Sequence, residues 1–270
     1  MRIFHRLLVL LSLGITQIPW IKRILRYLAS RMVAGLLRLR SRQYPPEEDR
    51  VMMVIAPHQD DCTLGCGGLV LCQRLRGQSI HVVYVTDGSG SHPGHPTVPP
   101  QELAMLRKQE GLVALRLLGV ETPAIHFVGA QDGTLSHLSP DQRSDIISRL
   151  RHLLLIVRPD EVLIPFRRDG SSEHEAAFGL FSDALSGIEA RPRIFEYLVW
   201  SWWNPLRLLP PLISARRVWC FRFCGYEGIK IAALKCYRSQ FEPTPPWHEP
   251  VLSADFVRLF HRPYEFYLEL

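Results

Sequence analysis

From residue 51 onward, short apolar runs alternate with longer stretches in which apolar residues recur at helical spacing. The apolar runs predict strands at residues 51–56, 80–85, 124–128, 161–165 and 193–199. The helical spacing predicts helices over residues 69–76, 101–118, 140–157, 172–185 and 227–237. Strands that are apolar throughout and alternate with helices are typical of parallel sheets covered on both faces. The pattern therefore predicts an α/β, Rossmann-like fold with a mostly parallel sheet.

The first 45 residues follow a different pattern. Residues 7–21 carry no charge, but this run is shorter than the roughly 20 residues that a transmembrane helix needs. Residues 20–40 alternate apolar and basic positions at helical spacing, which is typical of a helix lying in an anionic membrane surface. We therefore predict a membrane-associating segment and linker over residues 1–45 and one domain over residues 46–270, at the cytoplasmic face of a membrane.

Two alternatives for this N-terminal segment stay open: a helix packed on the main domain of a cytoplasmic protein, and a signal-like segment. The charge distribution supports the membrane prediction. Residues 1–50 hold 10 Lys and Arg and 3 Asp and Glu, a balance of +7, whereas residues 51–270 hold 22 and 23, a balance of −1. A nucleic-acid-binding domain carries its positive charge on the folded surface, so no nucleic-acid partner is expected. A homo-oligomer is compatible with the sequence.

Polar loops follow the first and fourth predicted strands. His58, Asp60 and Asp61 stand in the first of these loops, and His174 stands at the start of the helix after the second. Because parallel strands share one carboxyl edge, these side chains are expected to converge there. Two His and one carboxylate with an open position are usual for catalytic zinc, and a neighbouring carboxylate can act as general base. The alternative is that the two Asp residues cap a helix and His174 is structural.

The loops also resemble those of a known family, the LmbE-like (PIG-L) de-N-acetylases. Residues 57–68, P-H-Q-D-D-C-T-L-G-C-G-G, are similar to the signature P-H-P-D-D-E-x-x-G-x-G-G. Shorter matches follow in the family's order: Thr86-Asp87-Gly88, Arg107 with Glu110, Asp132-Gly133, Glu173-His174-x-Ala176 and Ser239-Gln240. The resemblance runs from about residue 51 to about residue 241, and its first block is the most specific part.

The resemblance implies a zinc hydrolase with the LmbE-like fold that removes acetyl from an N-acetylglucosamine-type amino sugar, lipid-linked or glycan-linked. It implies one Zn²⁺ per chain. The ligands would be His58, Asp61 and His174, with Asp60 as general base. Arg107 and Asp132 would contact the sugar. The roles of these six residues are carried over from the matching positions of the family.

Two positions depart from the family pattern. Ser171 stands where the family places a His that serves the oxyanion or the leaving amine, and Cys62 replaces a Glu. A Ser cannot act as an acid at neutral pH, and loss of such a group costs about 10²–10⁴-fold. His92, His95 or His137 could take over this role, although each is also readily explained as an ordinary loop residue. Cys62 is expected beside the ligands, with a thiolate ligand as the alternative.

These departures leave two other functions open. The first is a degenerate family member that binds a sugar or lipid without turnover. The second is a zinc hydrolase that acts on another amide or ester. The retained set of His58, Asp60, Asp61 and His174 favours the enzyme over the binding protein.

Overall fold

Eight strands form one sheet in the computed structural model, which describes residues 19–45, 49–210 and 217–270. The strands are β1 (Arg42–Gln43), β2 (Val51–Ala56), β3 (Ser79–Thr86), β4 (Ile125–Ala130), β5 (Glu161–Pro165), β6 (Arg193–Tyr197), β7 (Val218–Arg222) and β8 (Tyr264–Glu269). Their order across the sheet is β1-β7-β8-β6-β5-β2-β3-β4. Neighbouring strands are parallel except that β8 runs antiparallel to both β6 and β7.

Helices cover both faces of this sheet. They are α1 (Pro19–Arg40), α2 (Asp61–Leu75), α3 (Pro100–Leu117), α4 (Pro140–Val157), α5 (Ser172–Leu185), α6 (Glu227–Leu234), α7 (Arg238–Phe241) and α8 (Ala254–Arg258). Apolar side chains of α4 and α5 form one core with the sheet, and those of α1, α2, α3 and α6 contribute to the core on the other face. The predicted fold class is confirmed.

The glycines of α2 bring this helix close to the sheet. A Cβ atom at Gly65 would lie 2.2 Å from the Tyr197 ring, and one at Gly68 would lie 2.4 Å from the Phe223 ring. The helix begins at Asp61, eight residues before the start predicted at residue 69. Gly65 and Gly68 are interior positions of this helix, where the neighbouring rings leave no room for a side chain.

The N-terminal helix α1 packs against the main body along one face. Val33 and Leu37 of α1 belong to the same core as Tyr44, which is 2% exposed. Residues 42–43, predicted as part of a linker, form β1 beside β7. The described part of residues 19–45 thus belongs to the main domain, which differs from the boundary predicted after residue 45, because its buried side chains share the domain's core.

The uncharged run over residues 7–21 lies mostly outside the described residues. Among the helices that the structure describes, none has the length and apolar character required to cross a membrane.

Candidate active site

The candidate site lies at the carboxyl edge of four adjacent parallel strands, β5, β2, β3 and β4. The loop after β2 carries His58 and leads into Asp61 at the first turn of α2, whereas His174 stands in the first turn of α5. His58 Nδ1 lies 3.1 Å from Asp61 Oδ2, and His174 Nε2 lies 3.1 Å from Asp61 Oδ1. The structure therefore brings together the three residues that the sequence predicted to converge.

The geometry of these three side chains fits a divalent metal ion. One ligand atom from each of His58, Asp61 and His174 can be chosen so that all three lie within 4.8 Å of one another. His174 is fully buried, and its Nδ1 is 2.8 Å from Asp169 Oδ2. Its Nε2 makes no hydrogen bond and lies 3.1 Å from Asp61 Oδ1, facing the cluster. A buried ring nitrogen that makes no hydrogen bond and faces a carboxylate suits a metal-ligating His whose other nitrogen is held by a second carboxylate.

A second group of possible ligands shares His58 with the first and adds Asp132 and Glu173. The two carboxylates of this group already accept hydrogen bonds from the backbone. Asp132 accepts from the Gly90 amide at 3.0 Å, and Glu173 accepts from the Leu135 amide at 3.0 Å. The ligand atoms of the second group already make hydrogen bonds, whereas His174 Nε2 makes none, so the group with Asp61 and His174 fits a metal ion better.

The charges around the two imidazole rings attract a cation. Burial by itself lowers the pKa of His58, but hydrogen bonds to Asp132 and Asp61 outweigh burial and raise it to about 10. Burial is likewise outweighed at His174, where Asp61 and Asp169 raise the pKa to about 9. The two His residues in turn hold the pKa of Asp61 far below its ordinary value against the effect of burial. The cluster thus has the electrostatic character of a divalent-cation site.

Asp60 lies beside this ligand group and does not belong to it. It is 5% exposed, and its Oδ1 accepts a hydrogen bond from Arg107 Nη2 at 3.1 Å. Burial raises the pKa of Asp60, and the nearby guanidinium opposes this effect. A buried carboxylate that is next to a metal site and free of the metal is suitably placed to accept a proton.

The two predicted sugar-binding residues line the same cavity, but their described contacts are with the protein. Arg107 Nη1 lies 3.4 Å from Asp132 Oδ2 and donates to the Gly88 carbonyl at 3.0 Å. Asp132 Oδ1 lies 3.0 Å from His58 Nε2. The pair therefore links the ligand group to Asp60, and its contact with a sugar stays a prediction.

The two departures from the family signature have clear structural positions. Ser171 caps α5, where its Oγ accepts a hydrogen bond from the His174 amide at 3.5 Å. Cys62 is fully buried, with its Sγ 3.9 Å from that of Cys66. Among the described residues, Cys62 is in neither of the possible metal-ligand groups.

Of the three His residues considered as replacements at the site, only His92 comes close to the cavity. Its Nδ1 lies 3.0 Å from the hydroxyl of Ser91, which lines the cavity, and burial lowers its pKa. His95 instead hydrogen-bonds the Thr244 carbonyl at 3.1 Å. His137 is exposed at the end of a short 3-10 turn. None of the three lines the cavity.

Asp169 is a functional candidate that sequence reasoning missed. Its buried carboxylate accepts hydrogen bonds from the backbone amides of Val199, Trp200 and Ser201 while it holds His174. The only signal in the sequence is that an Asp precedes His174 by five residues in the same loop. A carboxylate that holds a metal-ligating His fixes the ring's tautomer and orientation.

The cavity has a second, apolar half that the sequence did not reveal. It has a volume of about 220 Å³, with His58, Asp60 and Asp61 among its polar lining. Its apolar lining consists of Leu64 of α2 and of residues from two later parts of the chain: Val199, Trp200, Val251, Leu252 and Phe256. The site therefore presents a polar, cation-attracting region and an apolar wall to the same space.

Comparison with known proteins shows which sequence family the central part of this chain resembles. Residues 53–185 match the profile of the PIG-L family, described as GlcNAc-PI de-N-acetylase. Diacetylchitobiose deacetylase from Thermococcus kodakarensis is 32% identical over 148 residues, which are 53% of this chain and 51% of the relative. The matched region thus spans about half the length of that relative.

Two further proteins are similar over more of their length. The uncharacterized deacetylase YaiS of Escherichia coli is 26% identical over 190 residues, covering 70% of this chain and 90% of the relative. The crystal structure of N,N'-diacetylchitobiose deacetylase from Pyrococcus horikoshii superposes with a TM-score of 0.55 at 22% identity, covering 78% of each chain. At that level of identity the superposition shows a shared fold.

Proposed function

We propose that this chain, whose residues 53–185 match the PIG-L (LmbE-like) family profile, is a zinc-dependent de-N-acetylase of an N-acetylglucosamine-type amino sugar. The observation that carries the proposal is the convergence of His58, Asp61 and His174 beside the separate carboxylate of Asp60, with the buried Nε2 of His174 making no hydrogen bond. The Thermococcus kodakarensis and Escherichia coli relatives are both named as deacetylases, which supports the same chemistry.

The reaction uses the protein's own residues in distinct roles. His58, Asp61 and His174 would hold a zinc ion, which would supply a Lewis acid for the acetyl carbonyl. Asp60 accepts a proton from the attacking water while Arg107 holds its carboxylate in place. The C–N bond of the acetamido group then breaks, and Asp60 returns the proton to the leaving amine, which yields acetate and the free amino sugar. This proton transfer by Asp60 needs no His at position 171.

The proposal is tested by measuring acetate release from a panel of substrates with the metal-loaded protein. We expect release from N-acetylglucosamine conjugates and little or none from simple acetamides and acetate esters. Hydrolysis confined to the simple compounds would favour a hydrolase of another amide or ester. Binding of amino sugars with no release from any of them would favour a degenerate member of the family.

We further propose that α1 attaches the protein to an anionic membrane surface. Its buried face packs on the domain, while Ile24, Leu28 and Leu39 are 50%, 52% and 84% exposed on its outer side. Exposed basic residues, including Lys22 and Arg31, surround these apolar positions, and residues 1–46 contain no Asp or Glu. Apolar side chains set among basic ones favour adsorption to anionic lipid.

The double variant Ile24→Ser, Leu28→Ser should bind anionic liposomes at least about tenfold more weakly than wild type in co-sedimentation, because it removes two apolar contacts with the lipid. A matched control is Leu155→Ser, Ile156→Ser on α4, where the replaced residues are also exposed and apolar, 53% and 64%. Wild-type binding equal to that of the Ile24, Leu28 variant would contradict the proposal. Deletion of residues 1–45 is a poorer test, because it would remove core residues.

A further inference from the structure

The cavity has two walls of opposite character beside the ligand group and Asp60. The polar wall comprises Gly90, Ser91, Arg107, Asp132 and Gln240. The apolar wall comprises Leu64, Val199, Trp200, Val251, Leu252 and Phe256. The two walls meet where the Leu252 amide donates a 2.8 Å hydrogen bond to the Gln240 carbonyl. A substrate bound in this cavity therefore meets two chemically different surroundings.

The polar wall adjoins His58 and Asp60. Arg107 Nη2 donates to Asp60 Oδ1 at 3.1 Å, and Asp132 Oδ1 lies 3.0 Å from His58 Nε2. Gln240 adds an amide group to the same wall. This side of the ligand group thus offers charged and neutral hydrogen-bonding groups, which suit the hydroxyl groups of a sugar.

The apolar wall adjoins Asp61 and His174 instead. Leu64 follows Asp61 by three residues on α2, so the two side chains are neighbours on the helix surface. The Trp200 amide donates a 2.8 Å hydrogen bond to Asp169 Oδ2, and the same oxygen lies 2.8 Å from His174 Nδ1. Apolar side chains therefore begin directly beside two of the three proposed metal ligands.

This apolar wall is preformed and larger than an acetyl group needs. The Trp200 and Phe256 rings stack with centroids 4.8 Å apart, and Phe256 is 2% exposed, so it supports the half-buried Trp200 from behind. Val251, at 37% exposure, is the most exposed side chain of the wall. An acetyl group offers a single methyl group for apolar contact, so most of this wall would stay uncovered by it.

The two walls distinguish the two ends of an amide substrate. Its carbonyl must lie at the ligand group, and the rest of the molecule extends from there as an amino sugar on one side and an acyl chain on the other. Sugar hydroxyls placed against the apolar wall would lose water without gaining hydrogen-bond partners. An acyl chain placed there would lose only its unfavourable exposure to water. The sugar is therefore expected on the polar wall and the acyl group on the apolar wall.

We propose that the apolar wall binds the acyl group of the substrate, so that the enzyme also removes N-acyl groups longer than acetyl and binds them more tightly. This inference rests on the proposed amide hydrolysis at this site and extends it from acetyl to longer acyl groups, such as butanoyl. The bond changes stay the same. The oxygen of water bonds to the acyl carbon, the C–N bond breaks, and the proton accepted by Asp60 passes to the leaving amine, which yields butanoate and the free amino sugar.

The test compares N-butanoylglucosamine with N-acetylglucosamine, which differ only by two methylene groups in the acyl chain. For the metal-loaded wild type, KM for the butanoyl compound should be about tenfold lower with similar kcat, because each buried methylene strengthens binding by about 3-fold to 4-fold. Trp200→Ala should abolish most of this preference. Trp203→Ala is the matched control, because Trp203 also contacts Phe256, with ring centroids 5.8 Å apart, but does not line the cavity.

A second variant keeps the aromatic pair intact. Val251→Ser replaces a side chain of the apolar wall that is already 37% exposed, so the fold should be unaffected. We expect it to reduce the preference for the butanoyl compound by about threefold. If both Trp200→Ala and Val251→Ser are folded in thermal unfolding and keep the full preference, the acyl group does not contact this wall and the inference is wrong.

The outcomes separate this inference from the function on which it rests. Acetate and butanoate release with equal KM, or acetate release alone, would overturn the inference and leave the de-N-acetylase function intact. A loss of preference in Trp203→Ala as large as that in Trp200→Ala would also overturn it. If neither compound is hydrolysed, the proposed function fails, and calorimetric binding of both compounds decides the inference. Tighter binding of the butanoyl compound that depends on Trp200 supports it, and equal affinities overturn it.

Discussion

Replacing Asp60 with Asn should lower the rate of acetate release by about 10²–10⁴-fold while metal content stays unchanged. Asn keeps the size of the side chain and an oxygen that can accept the hydrogen bond from Arg107, but its amide cannot take a proton from water. Metal should remain because Asp60 is outside the group formed by His58, Asp61 and His174. The check is kcat with an N-acetylated amino sugar, together with metal per chain by elemental analysis.

The control for this variant is the same chemical change at a distant site. Asp145→Asn removes an exposed carboxylate of α4, whose Oδ2 lies 2.8 Å from Arg149, and should leave the rate unaltered. Thermal unfolding measures whether Asp60→Asn is still folded. We expect the fold to survive, because buried Arg107 keeps Asp132 as a neighbouring carboxylate at 3.4 Å. Wild-type turnover that survives Asp60→Asn at full rate would overturn the assignment of Asp60 as base.

The elements that the sequence predicts best are those with clear local signals. Helix α4 begins at the predicted residue because Ser139 and Gln142 form a capping box ahead of a regular apolar pattern. Strand β5 is buried throughout, and the residues that follow Glu161 in it form a short apolar run. In both cases the signal lies within a few residues of the element that it specifies.

The elements that escaped prediction depend on distant partners. Strand β8 lies between β6 and β7, where Tyr267 pairs with Tyr197 on one side and Trp219 on the other. No short-range pattern specifies that insertion. The two-residue strand β1 is too short for any periodicity, and it is defined only by its pairing with β7.

The same distinction applies within the site. His58, Asp61 and His174 could be predicted to converge, because each follows a strand of one parallel sheet. Asp169 could not, because its role depends on a loop that brings it to the backbone of residues 199–201. The apolar lining of the cavity joins Leu64 to segments near residues 200 and 251, and only the folded chain brings them to one cavity.

Metal binding should depend on His58, Asp61 and His174 and on Asp169, which holds the His174 ring. Wild type should bind about one zinc ion per chain, and His174→Ala should lose it, because two protein ligands hold zinc far less tightly than three. Asp169→Asn keeps all three ligands but should weaken the affinity for zinc by about 10–100-fold, because the Asn side chain does not orient the His174 ring as a carboxylate does. The measurement is a competition titration against a chromophoric chelator.

Two further variants make the metal prediction specific to these side chains. Cys62→Ala should keep wild-type affinity, because Cys62 is in neither candidate ligand group; a loss as large as that in His174→Ala would instead identify a thiolate ligand. His137→Ala removes an exposed imidazole at a distance from the cavity and should also keep the metal. Full occupancy in a folded His58→Ala, His174→Ala double variant would exclude this site, because only Asp61 of the proposed ligands would remain to hold the ion.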